Sequence, residues 1–264
     1  MNNRIDNCLT QLKEDKEKAF IPYIAAGDPN LNTTVELVKA MADAGADIIE
    51  LGVPYSEPMA DGPIIQKAVQ RSLEQGTTLP KILDSVKLIR QTKQVPLVLM
   101  SYYNPILQYG LEDFVKDAVQ TGVDGLIVPD LPVEECHQLF SLAVEEGLYL
   151  IQLVAPTTSN SRLKQVVRYS RGFVYCVSVT GVTGVREESN SKICDLTGEV
   201  KDATSLPIGV GFGVSTPEQA TDMAQYCDAV IVGSAIVKEI ENNPDNAINI
   251  VSKLVADFKS ALAS

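Results

Sequence analysis

The sequence is poor in residues that bind transition metals. It has one histidine, His137, beside Cys136 in a helical pattern, and its five cysteines are scattered with no C-x-x-C pair. Zinc sites and metal-dependent aldol chemistry need clustered histidine, cysteine or carboxylate ligands. Dispersed thiols, odd in number, are typical of a protein from a reducing compartment. We therefore expect no metal site, and we interpret His137 as a surface or packing residue.

Long apolar runs and excess positive charge are also missing. No segment is apolar for long enough to span a bilayer, and the first residues show no apolar signal region. The formal net charge is −12 and the pI is about 4.6, which argues against nucleic acid or an anionic membrane as a partner. We expect a cytoplasmic protein, or one of an organelle stroma if the source bears plastids. Any anionic substrate must be held by local dipoles against the overall field.

Short apolar runs alternate with amphipathic helical stretches along the whole chain. Eight such runs begin at Ala19, Asp47, Val95, Asp124, Leu148, Gly172, Pro207 and Asp228. They are rich in β-branched residues and bounded by Gly, Pro or Asp, as buried parallel strands are. Eight strand–helix units predict a single (β/α)8 barrel of the TIM class over residues 1–264. An open doubly wound sheet is the alternative, but no G-x-G-x-x-G follows the first strand.

Further helices are expected around this barrel. The first residues carry Ile5, Leu9 and Leu12 on one helical face. This spacing predicts an extra N-terminal helix that packs against the lower end of the barrel. We also expect extra short helices in the loops that follow the strands.

One carboxylate lies inside an apolar run. In "IIELGV", side-chain alternation points Glu50 into the barrel near the carboxyl end of the second strand, if Ile49 and Leu51 face the helices. Barrel active sites lie at this end. The alternative is a structural glutamate paired with lysine or backbone N–H groups, but none of the eight runs contains Lys or Arg. An apolar surrounding should raise the pKa of Glu50, which suits a general acid/base.

Small-residue turns follow the last three predicted strands. They are "VTGVTGV", "GVGFGVSTPEQA" and "IVGSAIVK", and Ser234 in the third could cap the next helix. Glycine lets backbone N–H groups approach an anion closely, and barrels often bind phosphate after strands seven and eight. The alternative is that these glycines only make tight turns. We predict a phosphorylated small-molecule ligand.

The lysines fall in helical or loop patterns and none lies near a predicted strand end. A Schiff-base aldolase needs a desolvated lysine close to its substrate. Any carbon–carbon chemistry at this site must therefore be acid/base chemistry alone.

Several motifs occur together in a recognisable order. They are "ELGVPYSEPMADGPIIQKA", "YYNPI", "VPDLPVEE", "VSVTGVTGVR", "GFGVSTPEQA" and "VGSAIVK". Across essentially the whole chain they resemble the tryptophan synthase α chain family. The resemblance implies retro-aldol cleavage of indole-3-glycerol phosphate to indole and glyceraldehyde 3-phosphate, without a cofactor in this subunit. It also implies a pyridoxal-phosphate β chain as partner, in an α2β2 complex that consumes the indole.

The resemblance implies roles for particular residues. Glu50 is the acid/base that protonates indole C3, and Asp61 binds the indole N–H and stabilises the positive ring. The remaining residues bind substrate, with Tyr175 near the glycerol group. The phosphate residues are Gly184, Phe212, Gly213, Gly233 and Ser234, and the indole pocket is lined by Tyr23, Ile64, Ile65, Met100, Tyr102 and Pro129.

Two loops should close over the substrate. One is 53–62 with Asp61, and the other is a polar, Gly-rich lid at 179–192, in which Thr183 meets Asp61 in the closed state by family resemblance. Segments 54–58 and 102–106 would lie on the β-chain interface. The usual S-D-P of the family is S-E-P here, with Glu57, which leaves the partner contact less certain than the catalysis.

Two other functions stay open at this point. One is a phosphosugar isomerase, or a stand-alone indole-releasing enzyme, on the same barrel and phosphate site. The other is a non-catalytic relative that only activates a β chain, although Glu50, Asp61 and Thr183 together argue against it.

Overall fold

A computed structural model describes residues 3–177, 186–211 and 213–263, and the side chains of 186–191 lie outside this description. In this part of the chain there are nine strands and twelve helices. The strands are β1 Ala19–Ala25, β2 Ile49–Gly52, β3 Leu97–Met100, β4 Gly125–Ile127, β5 Tyr149–Ile151, β6 Leu153–Val154, β7 Val174–Val177, β8 Ile208–Gly211 and β9 Ala229–Val232.

The helices surround these strands in chain order. They are α1 Arg4–Asp15, α2 Leu31–Asp43, α3 Pro63–Glu74, α4 Leu79–Arg90, α5 Tyr103–Tyr109, α6 Leu111–Thr121, α7 His137–Glu146, α8 Asn160–Arg168, α9 Arg186–Ala203, α10 Pro217–Ala224, α11 Ser234–Asn242 and α12 Ala247–Leu262.

The strands form one parallel sheet that curves into a barrel. Their order is β5-β4-β3-β2-β1-β9-β8-β7-β6, and every pairing between neighbours is parallel. The two edge strands, β5 and β6, are consecutive in the chain and separated only by Gln152. They are two halves of one interrupted strand, so the sheet closes on itself with eight strand positions. All eight predicted runs contain an observed strand, and the predicted (β/α)8 barrel is confirmed.

Alternation along the strands separates two apolar layers. Phe20 of β1 and Ile49 and Leu51 of β2 pack outward among helix residues. Ile21 of β1, and Ile48 just before β2, pack with residues of other strands inside the barrel. This is the period-two pattern of a strand with both faces buried.

The N-terminal helix closes the lower end of the barrel, as predicted. Ile5 and Leu9 of α1 are buried in the interior layer. A side chain at Gly125, the first residue of β4, would lie 3.0 Å from Ile5 Cδ1. The amphipathic face of α1 therefore plugs the end opposite the strand carboxyl termini.

Besides α1, three helices are additional to the eight that follow the strands in a simple barrel. They are α3 after β2, α5 after β3 and α11 after β9. Extra helices at these loops were predicted, but α3 has 12 residues and is not short. Pro63 at its first turn presets the helical backbone, and buried Ala68 and Val69 fix its inner face.

Ion pairs join two of these extra helices to the first strand–helix loop. Arg71 of α3 donates two hydrogen bonds of 2.8 Å to the carboxylate of buried Asp28. Arg71 also donates a bond of 3.0 Å to Glu241 of α11. Since α3 follows the Asp61 loop and α11 follows β9, Arg71 ties together two segments at the mouth of the barrel.

Candidate active site

Glu50 lies inside the barrel near its upper end. It is 2% exposed, and parallel pairing sets it beside Tyr23 of β1 and Val98 of β3. Ile49 and Leu51 face the helices, so Glu50 shares the inward direction of Ile48. The structure thus agrees with the direction predicted from alternation. An acid at this place can reach only a ligand that enters the barrel mouth.

The surroundings of Glu50 favour its protonated form. Burial raises its pKa to about 8, and the negative charge of Asp61 adds to the rise. Within residues 3–177, 186–211 and 213–263, no hydrogen bond or salt bridge reaches the Glu50 carboxyl to oppose this. A carboxyl group that keeps its proton near neutral pH can act as a general acid, and as a base once that proton is given up.

Asp61 reaches the same space from the loop between β2 and α3. The Tyr102 hydroxyl donates a hydrogen bond of 3.2 Å to Asp61 Oδ2 and accepts one of 2.8 Å from Ala60 N. Gln66 Nε2 of α3 donates a bond of 2.8 Å to the Asp61 carbonyl oxygen. Burial raises the pKa of Asp61, while the bond from Tyr102 lowers it. The two carboxylates therefore differ, because only Asp61 has a donor.

Two buried tyrosines line the barrel mouth, each against a glycine. A Cβ atom at Gly52 would lie 2.0 Å from Tyr23 Oη, and one at Gly211 would lie 2.2 Å from Tyr175 Oη. Burial, and then the charge of Glu50, raises the pKa of Tyr175. Any larger residue at Gly52 or Gly211 would displace a phenol from the site.

An apolar wall joins several predicted indole-pocket residues. Tyr23 packs with buried Ala25, Ala68 and Val237, and with three half-buried residues beside them, which are Ile64, Ile65 and Met100. Tyr102 lies next to this wall through its bond to Asp61. Pro129 is half-buried two residues after β4, at the same end of the barrel.

The predicted phosphate residues fall partly within the described structure. Gly233 is the N-cap of α11 and Ser234 is its first residue, so the prediction that Ser234 itself caps the helix is wrong. No side chain caps this helix start, which leaves its first N–H groups for an anion. Gly213 has φ +55° and open space where a Cβ would stand. Thr183, Gly184 and Phe212 lie outside the described residues.

The predicted lid at 179–192 is described only from residue 186 onward. Helix α9 begins at Arg186, so the last half of that segment, 186–192, is helical. The expected contact between Thr183 and Asp61 lies outside the described residues. Glu57, by contrast, is exposed on the loop between β2 and α3, whereas Asp61 on the same loop is half-buried.

Sequence reasoning missed two features of the site. It treated Tyr102 as an apolar wall residue, whereas its hydroxyl holds both Ala60 and Asp61. It also assigned no role to Gly52 and Gly211, which make room for phenols. The spacing of Gly52 two residues after Glu50 marked it as inward-facing, and this was the one signal available.

Barrel, paired carboxylates and an uncapped helix start together define a barrel enzyme of the acid/base type. The chain matches the family "Tryptophan synthase alpha chain" over residues 9–263. It is 48% identical to the tryptophan synthase alpha chain of Geobacter sulfurreducens over 260 residues, which cover 98% of this chain and 97% of the relative. It is 45% identical to that of Thermoanaerobacter sp., covering 98% of this chain and all of the relative.

Solved structures agree with this assignment. Tryptophan synthase subunit alpha from Legionella pneumophila superposes with a TM-score of 0.92 at 36% identity, covering 99% of each chain. A chain of Mycobacterium tuberculosis tryptophan synthase gives 0.92 at 36% identity over all of both chains. This chain belongs to the tryptophan synthase alpha chain family. Members of this lyase family cleave indole-3-glycerol phosphate to indole and glyceraldehyde 3-phosphate in tryptophan biosynthesis.

Membrane-spanning helices and metal-binding clusters are absent from the described residues. No helix among them is long and apolar enough to cross a membrane. In the same residues, no group of three or more His, Cys, Asp or Glu side chains could hold a metal ion.

Proposed function

We propose that Glu50 and Asp61 carry the retro-aldol cleavage of indole-3-glycerol phosphate in this chain. The observation that supports this most directly is the contrast between them. Glu50 is buried with a pKa of about 8, whereas Asp61 accepts a hydrogen bond from Tyr102. Burial favours the protonated form of Glu50, while the bond from Tyr102 favours the charged form of Asp61, and the cleavage needs both forms.

The reaction needs a proton at indole C3, because an indole carbanion is a poor leaving group. Glu50 gives its proton to C3, and Asp61 accepts the indole N–H and stabilises the positive charge that develops on the ring. The Glu50 carboxylate then takes the proton of the glycerol hydroxyl next to the ring. As that O–H bond breaks, a carbonyl forms, the carbon–carbon bond breaks and its electrons restore the aromatic indole. Positioned acid/base groups contribute about 10²–10⁴-fold each.

Substrate binding divides between two parts of the barrel mouth. The indole ring would lie against Tyr23, Ile65, Met100 and Pro129, with Tyr102 holding Asp61 beside its nitrogen. The glycerol group would lie near Tyr175, a phenol whose pKa is raised by burial and by the charge of Glu50. The phosphate would bind the N-terminus of α11 at Gly233 and Ser234, together with Gly184, Phe212 and Gly213. An uncapped helix start supplies N–H donors and a favourable dipole, which a chain of net charge −12 needs for an anion.

A β chain is the partner that we propose for this subunit, as an α2β2 complex. The pyridoxal phosphate would belong to that chain, and no cofactor would be needed here. Relatives of known structure include a chain of tryptophan synthase from M. tuberculosis. Segments 54–58 and 102–106 would contact the partner, and each is followed directly by an apolar side chain open to solvent, Met59 at 86% and Leu107 at 53% exposed. A cytoplasmic location fits such a biosynthetic partner.

The test is release of indole from indole-3-glycerol phosphate by the purified chain, with and without a β chain. We expect indole from the chain alone and faster turnover with the partner. If the chain releases no indole, the assignment of catalysis to this site is contradicted. Indole release from a complex whose α site carries Glu50→Gln contradicts it too. Turnover of the chain alone with no change on adding a β chain contradicts the proposed partner but not the lyase.

A further inference from the structure

Tyr23 is a buried phenol whose hydroxyl lies against Gly52, two residues after Glu50. The side chain is 7% exposed and packs on Ala25, Ala68 and Val237. Its Oη atom lies 2.0 Å from the position that a Cβ atom at Gly52 would occupy, which is too close for any side chain there. Since Gly52 follows Glu50 by two residues on the inner face of β2, the hydroxyl points along the carboxylate side of the barrel mouth. A phenylalanine would pack equally well there, so packing alone does not account for the hydroxyl.

The Tyr23 hydroxyl differs from other tyrosine hydroxyls of the protein. Those of Tyr102, Tyr109 and Tyr149 each donate to an aspartate, in turn Asp61, Asp117 and Asp6. Tyr23 Oη has no hydrogen-bond partner within residues 3–177, 186–211 and 213–263. A phenol O–H is a hydrogen-bond donor, so at the edge of the substrate space it is available to an acceptor that arrives or moves.

Asp61 is the acceptor that the surroundings favour. Tyr23 packs with Ile64 and Ile65, which follow Asp61 by three and four residues, so the Asp61 loop borders the phenol. Among the charged groups that act on Tyr23, Asp61 comes before Glu50, and Tyr102 and Tyr175 are the other titratable groups. Burial and these charges raise the pKa of Tyr23 well above its usual value, so the phenol keeps its proton and can only donate it in a hydrogen bond. Asp61 lies on a loop and its Oδ2 atom accepts from Tyr102, which leaves acceptor sites on the same carboxylate.

A second hydrogen-bond donor would help to decide which of the two carboxyl groups is ionised. Two carboxyl groups share a buried space, and each disfavours ionisation of the other. The cleavage needs the charge on Asp61 and the proton on Glu50, and not the reverse. Donors that reach only one of the two decide which one ionises.

We propose that the Tyr23 hydroxyl is a positioning residue that donates a hydrogen bond to Asp61 when the substrate is bound. Together with Tyr102 it holds the negative charge on Asp61 and leaves the proton on Glu50. This inference rests on the proposed roles of the two carboxylates, and it adds to the apolar wall a polar function for Tyr23.

The test compares Tyr23→Phe with the wild-type chain and with a control, Tyr226→Phe. Tyr226 is half-buried on the outer apolar layer, so its change removes a phenol hydroxyl elsewhere. The readouts are kcat and KM for cleavage of indole-3-glycerol phosphate from pH 5 to pH 9.5, with circular dichroism and thermal unfolding. In Tyr23→Phe, Asp61 has one donor fewer, its pKa rises, and more of it is protonated at acidic pH.

We expect the acid limb of kcat to move up by about one pH unit in Tyr23→Phe. The loss of kcat should approach about tenfold on the acid limb and should shrink as the pH approaches 8, with KM changed less than about twofold. Tyr226→Phe should keep the wild-type profile. If the wild type and Tyr226→Phe cleave the substrate and Tyr23→Phe has an unshifted acid limb, the inference is wrong, even if its rate is lower at every pH. If the wild type releases no indole, the proposed function itself fails.

Discussion

The Tyr102 hydroxyl donates to Asp61 Oδ2 at 3.2 Å and accepts from Ala60 N at 2.8 Å. One phenol therefore holds the backbone of the loop and also supports the charge at its end. The arrangement joins the loop to a strand end, because Tyr102 lies two residues after β3 and is 5% exposed. It is the contact that makes the loop between β2 and α3 part of the active site.

Replacing this phenol tests that relation. In Tyr102→Phe, Asp61 loses its donor and Ala60 N loses its acceptor, so kcat/KM for indole release should fall by about 10–100-fold. Steady-state kinetics measure the change. Tyr55→Phe is the control, because within the described part of the chain the Tyr55 hydroxyl accepts only a 3.5 Å bond from Asn104, and its ring packs at 5.2 Å from that of Tyr102. Equal losses in the two variants would contradict a specific role for the bond to Asp61.

Asp61 should matter more for the rate than for binding. Asp61→Asn keeps the size of the side chain and removes the charge that stabilises the positive ring, which exists only along the reaction path. We expect kcat to fall by about 10²-fold or more with a small change in KM. An effect confined to KM would mean that Asp61 only binds the substrate in its ground state.

Gly213 offers a test of the phosphate site that separates chemistry from backbone strain. Gly213 and Gly147 both have positive φ values, +55° and +83°, and neither has an atom within 4 Å of an added Cβ. Alanine at either position should cost about 1–2 kcal/mol of stability through the backbone alone. Gly147 ends α7, so only Gly213→Ala should weaken binding of the phosphate-bearing substrate, as measured by KM.

The ion pairs of Arg71 should contribute to the free energy of unfolding. Arg71→Leu leaves the carboxylate of Asp28, a residue only 1% exposed, without its bidentate partner, and we expect a loss of about 3–5 kcal/mol in chemical denaturation. Glu241→Gln is the matched control, since the Glu241 side chain is 32% exposed and its pairing should contribute less than about 1 kcal/mol. Similar losses in both variants would contradict the central place of Asp28.

The barrel could be predicted from the sequence because its strands are short, apolar and separated by regular helices. Glu50 could be placed because alternation along a strand depends only on local geometry. The division of one strand into β5 and β6 at Gln152 could not be predicted, since a strand interruption depends on how the barrel closes. Nor could the donors to Asp61, because Tyr102 and Asp61 are far apart in sequence and meet only through the fold.

Helix starts show the same limit. "VGSAIVK" indicated a cap at Ser234, because serine is a favoured N-cap residue. The structure begins α11 one position earlier, with Gly233 as the cap, and leaves the first N–H groups without a side-chain partner. A sequence pattern gives the presence of a helix more reliably than its first residue.

The most direct measurement of the central claim is indole release by the wild type and Glu50→Gln from pH 6 to pH 9.5. The wild type should lose activity as the pH rises past about 8, where the buried Glu50 gives up its proton and can no longer protonate C3. Glu50→Gln should fold with the same circular dichroism spectrum and release indole at least about 10²-fold more slowly at every pH. Turnover by Glu50→Gln within about tenfold of the wild type would contradict the assignment of Glu50 as the acid/base.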